Sequence, residues 1–489
     1  MRRNLFLTFV LAVFCFAGAV QVKAQEGAEN VTIDPELKEL ADLVLAKQIE
    51  DFDAANKIFT NKIIRKYGKK APEMYQFAKY FNDNNFIPGA KMCIDKAYAA
   101  NATDINTLML RGELAEKMKN WGAAGQAYEE VLSLDTANVT AMKKIADVYK
   151  YVNPEVAKEY LFKVKAIDPN DVAVDKDLGL IFYRADEMKD AVKYYRAYYK
   201  ATPTDQVNLF SCEQYVNALF LTKGYSNAIN VCKAVAPRDP ENKTFKSVKF
   251  WSLVENYELA EAREAMAYIT NKEYPDSTYG YWDYYYAGRL AKDESNLPEA
   301  IKWQTLAVEK DPERAAGLQE LNNLLQENKQ YADALPVYKA YLGKLKELNR
   351  AQATDTFKLG YLYFTLAQVD SVKRGEWIKE GDAIFEYVSQ SAPDSYMGPI
   401  FRARINNVGV SEPSETVKAH YEEAAKRIGD NAKAKTDKLE CLQYAAFYDI
   451  QKDNYPEALQ FILEMEALDP ENPWTKRVKP FVESQIPQE

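Results

Sequence analysis

A single histidine and five cysteines are the residues of this chain best suited to bond-making or metal chemistry, and their placement gives that chemistry little to use. His420 is the only imidazole in 489 residues. Zinc sites and hydrolytic centres draw most of their ligands and general bases from histidine. One histidine supplies no H-E-x-x-H pair, no Ser-His-Asp set and no Cys-His couple. It lies in Lys418-Ala419-His420-Tyr421 on a helical pattern, where an ordinary surface or packing role is expected. Neither G-x-S-x-G nor G-x-x-x-x-G-K-[ST] occurs, so the sequence offers no nucleophile elbow and no phosphate loop. The 72 Asp and Glu residues always offer carboxylate pairs, but on helical patterns most serve as solvated faces and salt-bridge partners. The expectation is no catalytic residue, no cofactor and no metal.

The cysteines are Cys15, Cys93, Cys212, Cys232 and Cys441, with no C-x-x-C among them. They are too few for a disulfide-built scaffold. Cys212 and Cys232 are the sharper case. If Val216 and Ala228 face each other in a helical hairpin, Cys212 lies four before one and Cys232 four after the other. That symmetry makes them opposite neighbours, and a disulfide is allowed if their Cα atoms come within ~7 Å. Two small buried apolar side chains is the reading that packing favours.

The elements that would position such groups follow from length and patterning. A single core rarely grows past ~250–300 residues, so this chain is several domains or an array of units meeting only their neighbours. Apolar content of 47%, charged content of 28% and a mean hydropathy of -0.44 fit a globular chain. Arg2 and Arg3 precede an uncharged, mostly apolar run from Leu5 to Val20, and Gln21-Val22-Lys23-Ala24 closes it. This is the pattern of a secretory signal peptide over 1–24, with cleavage after Ala24. The run is shorter than the ~20 residues a spanning helix needs. Bulky Phe14 before Cys15 argues against lipid attachment there, and no other stretch could span a bilayer. Removing Arg2, Arg3 and Lys23 from the 63 basic residues leaves 60 against 72 acids, a charge of -12 in place of -9. An acidic surface of that size repels phosphate backbones, so nucleic-acid binding is not expected.

The main signal is a repeat. Asp-Pro followed by an acid or amide recurs at Asp168-Pro169-Asn170, Asp239-Pro240-Glu241, Asp311-Pro312-Glu313 and Asp469-Pro470-Glu471. Pro203 and Pro275 fall between, giving steps of 34, 37, 35 and 37 residues from Pro169 to Pro312. Between the stops lie two helical patterns and no convincing strand. Gly112, Ala124, Tyr128, Val131 and Thr136 share their intervals with Gly179, Ala191, Tyr195, Tyr198 and Pro203, and with Gly288, Ala300, Gln304, Ala307 and Pro312. The physical reading is a helical hairpin. A small residue on the first helix faces a small one on the second, later residues continue that face, and proline ends it.

On this frame the units resemble tetratricopeptide repeats, closely at 105–138, 172–205 and 281–314 and in degenerate form elsewhere, in a protein of exported bacterial type. The resemblance implies an all-α superhelix, an α-solenoid of about eleven hairpins. An N-terminal superhelix is expected over 25–344, a possible break at 345–356, where a stop is missing, and further units with a terminal cap over 357–489. In this family first helices line the concave groove where peptides or partner proteins dock. The groove stripe lies three before, one after and four after the small residue. It gives Tyr285, Arg289 and Lys292 in one unit and Gln319, Asn323 and Gln326 in the next. The unit opening at Gly360 gives Phe357, Tyr361 and Phe364. Earlier units give Lys176, Leu180 and Tyr183, then Glu213, Asn217 and Phe220. Some family members hold a carboxylate with a Lys and an Asn at the first two positions, and no unit here carries both. The aromatic surplus, 34 Tyr, 22 Phe and 6 Trp, is densest at Tyr279-Gly280-Tyr281-Trp282-Asp283-Tyr284-Tyr285-Tyr286, where some rings must be exposed.

The function expected is a non-enzymatic scaffold or adaptor in the periplasm of a Gram-negative bacterium, binding a protein or peptide partner. The alternative is a glycan- or peptidoglycan-binding protein of the cell envelope, its rings stacking on sugars. A narrower version resembles helical-repeat glycan-binding lipoproteins of outer-membrane uptake systems, against which the missing lipid-attachment cysteine argues. Oligomeric state leaves no mark in the sequence.

Overall fold

The computed structural model describes residues 33–270 and 279–486. The expected signal segment 1–24, Cys15 and the stop at Pro275 lie outside the described residues. The described chain is helical, with twelve antiparallel hairpins and a final helix, Pro473–Gln485. It divides into two compact units, residues 1–202 and 203–489. The first unit holds five hairpins and the second holds seven plus the final helix. Each unit is an all-α solenoid, and residues 345–356 fall inside the second, where they cover the end of the helix Tyr331–Glu347, the turn after it and the start of the helix Ala353–Val369.

The Asp-Pro stops work as the sequence suggests. Asp168, Asp239, Asp311 and Asp469 end their helices in extended conformation, with φ from -127° to -149° and ψ from 76° to 92°. A residue before proline is pushed there by the ring, and the proline cannot continue the helix. Three residues after the aspartate an Asn or Asp caps the next helix, as Asp171, Asn242 and Asn472 do.

The turn inside each hairpin has a chemistry the sequence does not announce. In eight hairpins the residue two past the first helix is left-handed, and none of the eight is glycine: Asn85, Lys119, Asp186, Lys223, Tyr257, Ser295, Lys329 and Asp453, with φ from 57° to 64°. The following amide donates to the carbonyl five residues back at 2.7–3.0 Å, as from Asn120 to Ala115 and Asn296 to Ala291. This satisfies orphan carbonyls at the helix end.

The close helix approach expected at the small residues is present, but side chains fill it differently than expected. A Cβ on Gly179 would lie 2.6 Å from the Tyr195 ring, and one on Gly360 2.7 Å from Phe385. Gly112 meets Tyr128 in the same way. The first-helix glycine thus makes room for the ring four residues beyond the small residue of the second helix. Tyr128 and Phe385 are fully buried there, and the Tyr128 hydroxyl donates to Glu116 at 2.5 Å. Only where Gln304 replaces the ring does Gly288 face backbone, 3.3 Å from the Ala300 carbonyl oxygen.

Two hairpins depart from the pattern. In the first, a π-helical stretch, Phe59–Ile64, interrupts the second helix. In the seventh, the second helix is short, Leu259–Ala265 followed by Ala267–Thr270. Buried Asp283 compensates by accepting hydrogen bonds from Tyr268 and Ser247, both at 2.7 Å, and from the Gly280 amide at 3.0 Å.

Candidate functional site

Two aromatic clusters stand on the first helices of the second unit. The first spans the helices Leu209–Leu221, Lys243–Glu255 and Tyr281–Asp293. Phe220 meets Trp251 at 5.7 Å and Tyr286 edge-on at 5.8 Å, and Trp251 stacks on Tyr286 at 5.8 Å. Tyr285 stacks on Tyr281 at 5.7 Å and meets the edges of Trp282 and Tyr286. Arg314 lies over both Tyr281 and Trp282, at 4.5 and 5.1 Å. Of the dense run, Tyr279, Tyr281, Tyr284 and Tyr286 are buried, Tyr285 is half-buried and Trp282 is 44% exposed. The run therefore offers one exposed ring, and most of its surplus is packing between adjacent hairpins. Burial pushes the Tyr281 hydroxyl up to about 12 and raises Tyr285 as well, so both stay neutral at physiological pH.

The second cluster joins the helices Ala353–Val369 and Met397–Asn406. Phe357, Tyr361 and Phe364 surround buried Phe401 at 4.9, 5.8 and 5.7 Å, and fully buried Phe385 supports Phe357 and Phe401 from behind. Tyr361 is 48% exposed, while Phe357 and Phe364 are half-buried. Arg404 lies over Phe401 at 4.9 Å and pairs with Asp437 and Glu440 at 2.7 and 2.6 Å.

Between the clusters in sequence, the helix Ala315–Glu327 presents exposed Gln319 and Asn323 with half-buried Gln326. The two cations of the stripe in this unit are already engaged. Arg289 pairs with Glu255 at 2.5 Å, and Lys292 with Glu320 at 2.9 Å. Burial works against the charge on Arg289, but Glu255 and the neighbouring tyrosines outweigh it and hold its pKa above the usual value. In the earlier hairpin Glu213 accepts from Asn242 at 2.7 Å. The face is aromatic and amide-rich with its charges neutralised in pairs. Such a surface can stack, desolvate and hydrogen-bond.

Trp251 is a member that sequence spacing missed. It sits one past the position that other units fill with a small residue, but that position here is Phe250, so no glycine or alanine marks the register. Its indole nitrogen is buried without a hydrogen-bond partner among the described residues.

The other chemical candidates stand apart from this face. Cys212 and Cys232 are free, buried thiols, and burial pushes them up to about 11 and about 12. The bridge that the hairpin symmetry allows is not formed here, and the two pack as small apolar side chains. His420 is half-buried; burial first, then Arg402, lowers its pKa below the usual 6.5, against the opposing pull of Asp382 and Glu386. A cleft of about 260 Å³ opens between the last two hairpins, lined by Ala425, Lys438, Cys441, Leu442 and Phe461. Lys438 there is held by Glu464 at 2.7 Å and by the Gly429 carbonyl. Among the described residues no cluster of His, Cys, Asp or Glu could hold a metal ion, and no helix is long and apolar enough to cross a membrane.

Hairpin after hairpin with this frame makes each unit an all-α solenoid, similar in arrangement to tetratricopeptide repeats. No family model and no curated protein matches the chain. Solved structures of similar fold include the C-terminal part of a TPR repeat-containing protein from Cytophaga hutchinsonii, at 18% identity and TM-score 0.39, covering 54% of this chain and 98% of that one. A tetratricopeptide repeat protein from Parabacteroides merdae is 13% identical with TM-score 0.33, over 52% of this chain and 98% of that one. The type IV pilus biogenesis factor PilW is 16% identical with TM-score 0.32, over 45% of this chain and 98% of that one.

Proposed function

We propose that this chain is a non-enzymatic scaffold, exported to the periplasm of a Gram-negative bacterium after cleavage behind Ala24, that holds a protein or peptide partner on the first-helix face of its second unit. One observation supports this reading most. Exposed Trp282 and Tyr361 each stand on a supported aromatic cluster, and exposed Gln319 and Asn323 lie on the intervening hairpin. Amphipathic rings anchor a partner's side chains, and amides satisfy its backbone. Because Arg289, Lys292 and Arg404 are already paired with acids, the partner segment is apolar or aromatic and not an acidic tail.

A photo-crosslinking residue placed at Asn323 in cells, followed by mass spectrometry, tests the reading. Reproducible protein crosslinks that are lost on Trp282→Ala and Tyr361→Ala support it. Binding on a glycan array without protein crosslinks would overturn it in favour of an envelope-sugar ligand.

A further inference from the structure

The first hairpin of the first unit carries a charge pattern that belongs to neither aromatic cluster. Its second helical element runs through Phe52–Ile58, the π-helical Phe59–Ile64 and Arg65–Tyr67. Ala55, Phe59, Ile63 and Tyr67, each four residues from the next, form its buried column, and the last three share a core with Phe77 and Phe81. At 3.6 residues per turn, a strict period of four drifts around an α-helix by ~40° per step. The wider π-turn, where the Arg65 amide donates to the Thr60 carbonyl five residues back, cancels that drift. The opposite side therefore keeps the same period. It carries Lys57, Asn61, Arg65 and Lys69 in one exposed column and Lys62, Lys66 and Lys70 in the column beside it.

From Ala54 to Pro72 there are six cations and no acid, in a chain of net charge -9. Two of the six are neutralised from outside, Lys66 by Glu36 at 2.9 Å and Lys70 by Glu73 at 3.5 Å. Asp53 stands one turn before Lys57, so the cationic end of the strip is that of Lys62, Arg65 and Lys69. These three and Lys57 make no ion pair among the described residues. The helix dipole accounts for cations in the last turn, such as Arg65 and Lys66, but not for Lys57 or Lys62 further up. Phe52, at the far end, is the one large apolar side chain that residues 51–70 expose. The strip thus has no stacking platform for bases and no apolar wedge for lipid. Its cations recur every ~6 Å, four residues at the helical rise. Alternate side chains of an extended chain recur every ~6.6 Å.

We propose that this strip docks an extended acidic segment of another protein, its carboxylates at every second residue pairing with Lys62, Arg65 and Lys69. The test is fluorescence anisotropy of the full chain with a labelled peptide of alternating Glu and Ser at low ionic strength. Arg2, Arg3 and Lys23 are common to every variant, so differences between variants isolate the strip. The parent binds the alternating peptide, loses it as salt is added, and does not bind a Gln-Ser counterpart. An isomer with the same Glu and Ser residues in two blocks binds more weakly, because fewer carboxylates share one side. Arg65→Gln and Lys69→Gln each weaken binding about three-fold. Lys189→Gln, on a later helix of the same unit, leaves it unchanged. Equal affinity of parent and strip variants, or of the two isomers, overturns the proposal. So does binding of phosphatidylglycerol vesicles through the strip with no peptide binding, which would assign it to a lipid surface.

Discussion

Substituting Gly360 by alanine separates the ring-filled hairpin from a simple approach of two small residues. The added Cβ would lie 2.7, 2.9 and 3.0 Å from three atoms of the Phe385 ring, which is fully buried and in contact with Phe357 and Phe401. The ring has nowhere to retreat, so overpacking costs ~1–3 kcal/mol. Against this, Ala in a helix interior is favoured over Gly by ~1 kcal/mol. The net effect on Gly360→Ala is a loss of about 0–2 kcal/mol, from those two terms. Gly343 is the control, since it also lies inside a helix and its Cβ would meet nothing within 4 Å. Gly343→Ala gains the same ~1 kcal/mol without the collision, so the two variants differ by ~1–3 kcal/mol. Because an array loses cooperativity, the readout is amide hydrogen exchange across Ala353–Val369 and Arg374–Ser391 as well as urea unfolding. Phe385→Leu in the Gly360→Ala background should recover part of the loss, giving a nonzero coupling in the double-mutant cycle. Equal stability of the two alanine variants, or no coupling to Phe385, would refute the ring-filling account.

Three further outcomes are expected. Tyr257 holds φ 57° in an exposed turn; relieving ~1–2 kcal/mol of left-handed strain against the ~0.5–1 kcal/mol of chain entropy that glycine adds makes Tyr257→Gly stabilising by ~0–1.5 kcal/mol, seen as a raised Tm. His420 has a folded pKa below 6.5, so the folded state resists its protonation; its contribution is intact above pH 6.5 and is lost as pH falls below that value, and a His420→Gln variant should lose less stability between about pH 6.5 and 5 by pH-dependent urea titration. All four described cysteines are buried, and burial raises the thiols of Cys212, Cys232 and Cys441 to between about 11 and about 12; a thiol reagent at pH 8 should leave them unlabelled in native protein and titrate every one in denatured, unreduced protein, and a deficit of two would restore the Cys212–Cys232 bridge.

Much of the fold was legible because its stops are covalent. Asp168-Pro169 and its three counterparts announce helix ends through a missing N–H and a steric clash, which sequence displays directly. The glycine positions were legible too, but their partners were not. Spacing places Tyr195 on the face of its own helix, and only the crossing of two helices shows that its ring occupies the space above Gly179. Left-handed turns at Lys119, Lys223 and Tyr257 left no trace, since these residues carry no preference for that conformation. The face residues Tyr285, Arg289, Asn323, Phe357, Tyr361 and Phe364 all fall on first helices, as their register implies. Their exposure was not readable, because burial depends on the neighbouring hairpin. Trp282 stays exposed while Tyr286, four residues on, is covered by Phe220 and Trp251.

The pairing of Arg289, Lys292 and Arg404 with acids has a kinetic consequence. A surface whose charges cancel within a few ångströms projects almost no field past a Debye length of ~8 Å. These pairs add little steering of their own to an encounter, so the contact itself barely responds to ionic strength. On the proposed reading, how long a partner stays is then decided by water leaving Trp282 and Tyr361. Temperature, through the negative heat-capacity change of that dehydration, becomes the stronger control on occupancy than salt.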